Sequence, residues 1–212
     1  KVVYFSAQNE VNGAYVSDDK IFYKGKYVAD IKSLPVGGEH NVLNLLAAVC
    51  VAEIVGMTEE AICSGIKEFK GVKHRIQYIR TVNGADYYND SKATNADATM
   101  KAIDSMNKPT TLILGGKDKG LDFDALFRKI SESLVKAVVL TGESEPRIYD
   151  SAKKIGYKNV YLANDFFVAL KLASIVAENG EAVLLSPACS SFDCFTDYEE
   201  RGDRFIEIVE KL

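Results

Sequence analysis

Apolar and polar positions follow two different patterns along the chain, and the pattern changes near residues 71–74. In the first part, short apolar runs predict strands, and the turn signal Lys24-Gly25 predicts a hairpin between two of them. The predicted strands are Val2–Phe5, Ala14–Val16, Lys20–Tyr23 and Lys26–Ile31. Apolar residues at helical spacing then predict helices over Asn41–Val55 and Glu59–Phe69, with Thr58 as the cap of the second.

From residue 75 onward, short β-rich runs alternate with longer helical patterns, and Asn83-Gly84 marks a hairpin turn. The predicted strands are Ile76–Thr81, Ala85–Asn89, Thr110–Leu114, Ala137–Leu140, Val160–Leu162 and Ala182–Ser186. The predicted helices are Ala96–Ser105, Phe123–Ile130, Pro146–Ile155, Asp165–Glu178 and Tyr198–Lys211. This alternation indicates an α/β fold with a mostly parallel sheet flanked by helices, in which ligands bind beyond the carboxyl ends of the strands.

Composition narrows the classes of function. The contents of 47% hydrophobic and 26% charged residues are typical of a globular protein, and the net charge of −4 argues against a nucleic-acid partner. No apolar run approaches the ~20 residues that span a bilayer, so no membrane partner is expected. Four cysteines without paired spacing and two scattered histidines predict free thiols in a cytoplasmic protein and no metal site.

The start of the chain suggests a piece of a longer protein. It opens without Met inside an apparent strand, and two helices and a hairpin cannot cover their own apolar faces. We interpret residues 1–73 as the tail of a larger domain and residues 74–212 as a separate domain. A compact subdomain is the alternative for the first part.

The segment Asn89-Asp90-Ser91-Lys92-Ala93-Thr94-Asn95 leads from a strand into a helix. Asp90 could accept hydrogen bonds from a sugar hydroxyl or hold a cation, Lys92 could reach a phosphate, and Thr94 could donate to a carboxylate. Capping of the helix is the alternative for Thr94 and Asn95. The lysine among them favours an anion site, since helix N-termini attract negative charge.

Two further strand ends carry candidate chemistry. Leu114–Gly120 combines glycines with two lysines and matches neither GxxxxGK[ST] nor GxGxxG, so it is an anion loop or a solvated basic turn. Ser186–Asp193 is rich in hydroxyls that could surround a carboxylate. Cys189 within it is a nucleophile or a structural thiol, and the absence of any histidine after His74 favours the structural thiol.

The first part of the chain and the junction supply three more candidates. Asn41 and Asn44 lie three apart at a predicted helix start, where amides recognise a purine edge or cap the helix. Arg75 follows His74 at the junction and is a ligand cation or a plain surface charge.

Together these segments resemble the superfamily of Mur ligases and folylpolyglutamate synthetases. The shared motifs are Gly38-x-His40-Asn41-x-x-Asn44-x-x-Ala47-Ala48, His74-Arg75, and the last strand with its loop. Two segments narrow the resemblance to the members that add D-glutamate: Asn89–Asn95, and Ser186–Asp193 followed by Phe195, Tyr198 and Glu199-x-Arg201-Gly202. The match covers almost the whole chain and is weakest over residues 1–30 and 143–180.

The resemblance implies a Rossmann-like C-terminal domain, preceded here by the end of a central ATPase domain. It implies an ATP-dependent ligase that joins D-glutamate to UDP-N-acetylmuramoyl-L-alanine through an acyl phosphate in peptidoglycan precursor synthesis. The phosphate loop and the main Mg²⁺ ligands of the family lie upstream of the matched region. We therefore expect this chain to be inactive alone. We also expect it to be a monomer.

The resemblance also implies roles for individual residues. Asn41 and Asn44 are expected at the adenine, Arg75 and Asp90 at the ribose or phosphates, and Lys92 at the phosphates or the reacting intermediate. The residues expected to hold the carboxylates of D-glutamate are Thr94, Lys119, Ser191, Phe192 and Tyr198. Relatives vary at Lys117-Asp118, and some have Phe at Tyr198. We therefore expect Lys119 to matter more than Lys117, and the backbone to be used at Tyr198.

Two other classes compete with a ligase. The alternating sheet is also typical of nicotinamide-dependent oxidoreductases, but GxGxxG is absent and no acidic residue lies where it would meet a ribose. A non-catalytic binding module is the second alternative, and restored activity on mixing with a supplied N-terminal half would exclude it.

Overall fold

The computed structural model describes residues 2–34, 38–69 and 71–212, without the side chains of residues 39 and 40. The side chain of His40, which belongs to the predicted motif, lies outside the described residues. The chain divides into two compact units, Lys1–Gly71 and Val72–Leu212. This division falls two residues before the boundary that we propose from the sequence.

The first unit is a four-stranded sheet with two helices. Its elements are β1 (Tyr4–Ser6), β2 (Gly13–Ser17), β3 (Lys20–Tyr23), β4 (Lys26–Asp30), α1 (Glu39–Ile54) and α2 (Glu59–Glu68). The predicted hairpin is confirmed, because β3 and β4 pair antiparallel around Lys24 and Gly25, which both have positive φ. Thr58 caps α2 by accepting a hydrogen bond from the backbone of Ala61. The parallel pairing of β1 with β2 did not follow from the local pattern.

The second unit contains a six-stranded sheet in the order β5-β6-β10-β7-β8-β9. Its strands are β5 (Gln77–Val82), β6 (Ala85–Asn89), β7 (Thr110–Gly115), β8 (Val135–Thr141), β9 (Val160–Leu162) and β10 (Ala182–Leu185). Its helices are α3 (Ala96–Ser105), α4 (Asp124–Ser131), α5 (Glu145–Ile155), α6 (Phe166–Val176) and α7 (Tyr198–Val209). Only β5, paired with β6 through the predicted Asn83-Gly84 turn, runs antiparallel. The predicted fold class is therefore confirmed.

Helices cover both faces of this sheet. One apolar cluster joins the sheet to α3, α4 and α5, and a second joins its other face to α6 and α7. Every residue of β7 and β10 is buried, as expected for parallel strands covered on both sides. None of the helices in the described part of the chain is long and apolar enough to cross a membrane.

The strand order brings three loops to one edge of the sheet. Because β10 lies between β6 and β7 and runs parallel to both, the carboxyl ends of these strands are neighbours. We call the segments that follow them the β6 loop (residues 89–95), the β7 loop (residues 115–120) and the β10 loop (residues 186–193). All three were singled out from the sequence.

Candidate functional site

Asn89 fixes the start of the β6 loop. Its side-chain amide donates to Nδ1 of His74 (3.0 Å) and to the backbone carbonyl of Gly202 (2.9 Å), and its carbonyl oxygen accepts from the backbone of Ser91 (3.1 Å). His74 is buried, and its ring packs so closely on Gly202 that a β-carbon there would overlap it. Three of the four hydrogen-bonding positions of the amide are therefore used inside the protein.

Asp90 is a buried carboxylate shared between two loops. It is 1% exposed, and it accepts hydrogen bonds from the Ser186 hydroxyl (2.7 Å) and from the backbone N–H of Ile76 (3.2 Å). Burial raises the pKa of Asp90 to about 6, although these two donors and the charge of Arg75 act in the opposite direction. Both carboxylate oxygens have internal partners, so Asp90 joins the β6 loop to the β10 loop and to the backbone next to Arg75.

The ammonium group of Lys92 is held by Tyr198. It donates to the phenol oxygen of Tyr198 (2.8 Å) and lies 4.5 Å from the centre of the ring. The Tyr198 hydroxyl donates in turn to Glu199 (3.0 Å), and its carbonyl accepts from the Ser91 hydroxyl (2.8 Å). The side chain at residue 198 thus positions a predicted phosphate-binding cation, a contact that the expected use of the backbone did not include.

The two residues proposed as helix caps at the end of the β6 loop differ in their contacts. Asn95 caps α3, because its side chain accepts from the backbone of Ala98 (2.9 Å). Thr94 is half-buried, and its hydroxyl makes no hydrogen bond to any described residue. The capping alternative therefore holds for Asn95 and leaves the Thr94 hydroxyl available to a ligand.

The β7 loop is closely packed at its first residues and exposed to solvent at its last ones. Gly115 and Gly116 have positive φ, and a β-carbon on either would overlap a backbone carbonyl, of Thr141 and Ser190 respectively. Lys117 is paired with Glu143 (2.6 Å), whereas the exposed Lys119 has no ion-pair partner among the described residues. The contrast favours Lys119 over Lys117 as the cation for a ligand.

The β10 loop presents one buried and one exposed candidate. Ser191 is buried, and its carbonyl accepts from the backbone of Cys194 and Phe195, whereas the Phe192 side chain is 65% exposed. Cys189 is buried beside the Ser144 hydroxyl (3.3 Å), and burial raises the pKa of its thiol. A neutral, inaccessible thiol supports the structural interpretation of Cys189.

The nucleotide candidates are divided between the two units. Asn41 and Asn44 lie in the first turns of α1, where Asn41 is half-buried and Asn44 is exposed. Arg75 is exposed in the second unit, one residue before Ile76, whose N–H meets Asp90. In the part of the chain that the structure describes, no three His, Cys, Asp or Glu side chains are grouped as they would be around a metal ion.

Comparison with known proteins identifies the family of this chain. The sequence profile described as "Mur ligase, glutamate ligase domain" matches residues 74–189, more than half of the chain. The chain belongs to the Mur ligase family. Its sequence is 40% identical, over 99% of its length, to a UDP-N-acetylmuramoylalanine–D-glutamate ligase of Bacillus cereus strain Q1. It spans 46% of that relative and about half the length of the other curated relatives it matches.

Solved structures of the family share the fold. The UDP-N-acetylmuramate–alanine ligase of Thermotoga maritima superposes with a TM-score of 0.68 at 21% identity, over 99% of this chain and 48% of that one. The folylpolyglutamate synthase of Mycobacterium tuberculosis, solved with ADP, superposes with a TM-score of 0.65 at 16% identity, over 92% and 46% of the two chains. At these identities, the likeness supports the fold alone.

One buried residue that contacts two of the candidate loops was not among the site residues proposed from the sequence. Arg201 is 2% exposed, and its guanidinium contacts both the β6 and the β10 loops. It shares the buried face of α7 with Phe205 and Ile208, at helical spacing. An arginine on the apolar stripe of an amphipathic helix is the signal that could have singled it out.

Proposed function

We propose that this chain provides the amino-acid site and part of the nucleotide site of a cytoplasmic ATP-dependent ligase that joins D-glutamate to UDP-N-acetylmuramoyl-L-alanine. The observation that carries the proposal is the 40% identity to D-glutamate ligases over nearly the whole chain. The products of such an enzyme enter cell-wall synthesis, on which cell shape and division depend. Residues 1–73 are proposed as the end of the central ATP-binding domain, and residues 74–212 as the amino-acid-binding domain.

The proposed reaction has two steps. The alanine carboxylate of the nucleotide-sugar attacks the terminal phosphorus of ATP, which gives an acyl phosphate and releases ADP. The amine of D-glutamate then attacks the acyl carbon, an amide forms, phosphate leaves, and the amine loses a proton. Negative charge accumulates on phosphoryl oxygens in both steps, so positioned cations lower both barriers.

We assign to Lys92 the role of stabilising this negative charge. Its ammonium is held by the Tyr198 hydroxyl and ring, at the N-terminal end of α3, where partial positive charge already favours anions. A cation that is already oriented stabilises developing charge without the free energy of ordering it first. The neighbouring carboxylate of Asp90, together with Arg75, is proposed to order the ribose and phosphate side of the site.

Two carboxylates of D-glutamate need donors and positive charge. Among the described residues, Thr94 offers an unused hydroxyl, Lys119 an ammonium without an ion-pair partner, and Ser191 a hydroxyl at a neighbouring strand end. The backbone near Phe192 and Tyr198 completes the proposed set. Charge-assisted hydrogen bonds to a carboxylate are the strongest that side chains make, which suits a dianionic amino acid.

ATP and Mg²⁺ are proposed as ligands for which this chain supplies only some of the binding residues. Asn41 and Asn44 are proposed to meet the adenine. When bound, Mg²⁺ supplies charge neutralisation of the phosphates. No ligand for it is assigned here, because the described residues hold no suitable cluster.

Titration calorimetry with D-glutamate tests the amino-acid site. We expect the 212-residue chain to bind D-glutamate more tightly than L-glutamate, and Lys119→Ala to weaken binding at least about tenfold, or ~1.4 kcal/mol. The matched control is Lys158→Ala, because Lys158 is also exposed but precedes β9, at the opposite edge of the sheet. Equal affinity of the two variants for D-glutamate would show that Lys119 does not contribute to the site. The absence of binding heat with the unmodified chain would contradict the proposal that the chain contains a D-glutamate site.

A second measurement separates a ligase from a binding module. The sequence contains no GxxxxGK[ST] phosphate loop, so we expect no release of phosphate by the chain with ATP, Mg²⁺ and both substrates. Addition of the N-terminal half of the Bacillus cereus relative is expected to restore turnover. Turnover by the chain alone would contradict this division of the site.

A further inference from the structure

We infer that Arg201 is a positioning residue, whose guanidinium holds the β6 and β10 loops at the spacing that the substrates require. The inference rests on the proposed function, because those loops carry the groups assigned to the phosphates and to D-glutamate. Arg201 itself touches none of the proposed substrates.

Three hydrogen bonds carry the inference. Nε donates to the Ser91 hydroxyl (2.9 Å), and one terminal nitrogen donates to the carbonyls of Ser91 (2.9 Å) and Cys189 (3.0 Å). Ser91 lies beside Lys92 in the β6 loop, and Cys189 lies two residues before Ser191 in the β10 loop. One rigid, planar group therefore spans two loops that lie about a hundred residues apart in sequence.

The β7 loop also packs against this guanidinium. A β-carbon on Gly116 would lie 3.1 Å from the second terminal nitrogen of Arg201, which has no hydrogen-bond partner among the described atoms. Arg201 also lines a small cavity together with Thr141 and Asp193. The glycine thus lets the β7 loop, and Lys119 within it, approach the other two loops.

The electrostatic setting argues against a role in stability alone. Arg201 has no carboxylate within ion-pair distance among the described residues, and burial lowers its pKa to about 10 even though Asp193 opposes the shift. It is therefore protonated at neutral pH, inside the protein, and compensated mainly by carbonyl dipoles. An apolar side chain of similar volume would avoid that desolvation. What such a side chain could not do is join Ser91 to Cys189.

The test compares Arg201→Met and Arg201→Lys with Arg204→Met. Arg204 is the matched control, because it lies on the same helix but is exposed and pairs with Glu207 one turn on. Hydrogen exchange is expected to accelerate in residues 89–95 and 186–193 of the Arg201 variants, and to stay unchanged in β8. In Arg201→Met, D-glutamate affinity is expected to fall at least about tenfold, and the preference for D- over L-glutamate to narrow.

Arg201→Lys separates positioning from charge. Lysine keeps the charge but cannot span three acceptors, so we expect its loops to exchange faster than those of the unmodified chain. Addition of guanidinium ion at low concentration to Arg201→Ala is expected to recover the slow exchange of both loops, and no recovery is expected for Arg204→Ala.

Three results would overturn the inference: unchanged exchange in both loops, a uniform acceleration that includes β8, or an unchanged preference for D-glutamate in a variant whose loops exchange faster. If the unmodified chain binds no D-glutamate, the proposed function fails. The exchange measurements then still decide whether Arg201 holds the loops.

Discussion

The β6 and β7 loops follow two strands that flank β10 in the same sheet, yet their side chains are held in different ways. In the β6 loop, Asp90 and Ser91 are almost fully buried, and Lys92 is anchored on Tyr198. The β7 loop begins in close contact with backbone and ends at Lys119, which is exposed and unpaired among the described residues. The β6 loop therefore offers a cation that the protein already holds in place, whereas the ammonium of Lys119 in the β7 loop is held by no described residue.

This difference suits the two proposed tasks. Stabilising charge in a reaction requires groups that are already in place, because ordering them later adds to the barrier. Recognition of an incoming amino acid tolerates a mobile cation, since some binding energy can order it. The β6 loop therefore fits the reacting end of the site, and the β7 loop fits the entry of D-glutamate.

The largest expected effect tests whether the β7 loop is rigid at its start. Gly115→Ala is expected to lower the free energy of unfolding by more than ~3 kcal/mol, because the added carbon would meet the Thr141 carbonyl at a positive φ. Gly120→Ala is the control, since Gly120 has positive φ but open space around it, and should cost about 1–2 kcal/mol. Urea denaturation followed by circular dichroism measures both, and equal losses would contradict the contrast within the loop.

The next effect uses pH to compare one aspartate from each loop. Asp90 has a pKa raised from 3.8 to about 6, so the folded state holds its proton more tightly than the unfolded state. Its contribution is complete below about pH 4 and is lost as the pH rises through 6, by up to ~3 kcal/mol. Asp90→Asn should remove this fall from the curve of stability against pH.

Asp118 in the β7 loop should show the opposite sign. The N–H of Gly120, and then Arg147, hold the pKa of Asp118 below its usual value, so its contribution is present above that value and is lost as the pH falls. Asp118→Asn should therefore flatten the acidic side of the curve. Curves for the two variants that shift in the same direction would rule out this electrostatic account of the loops.

The smallest effect compares the two candidate cations. Lys92→Met is expected to cost about 1 kcal/mol, because the hydrogen bond to Tyr198 is lost, while Lys119→Met should stay within ~0.5 kcal/mol. Tyr198→Phe removes the hydrogen bond but keeps the ring beneath the ammonium, and should fall between them. A Lys119 variant as destabilised as the Lys92 variant would mean that the Lys119 side chain is also held by contacts within the protein.

Local patterns in the sequence predicted most of the second unit. Strands β6 and β9 and helix α3 have the predicted bounds, and the other elements of this unit differ from theirs by two residues or fewer at each end. Turn residues were equally informative: both predicted hairpins formed, because Gly25 and Gly84 adopt the positive φ that their turns require. The motifs also led to the family that the comparison confirmed.

What the sequence determined by itself is therefore what depends on neighbours along the chain: periodicity, turns, caps and motifs. Tertiary structure decided the insertion of β10 between β6 and β7, the parallel pairing of β1, and the contacts of Arg201, Asn89 and Tyr198. The contacts of β10, Arg201 and Lys92 with Tyr198 join residues that lie far apart in sequence. Many strand orders and directions satisfy the same local pattern. A buried arginine on an apolar helix face indicates that a partner is needed, but only the packed sheet determines that the partners are Ser91 and Cys189.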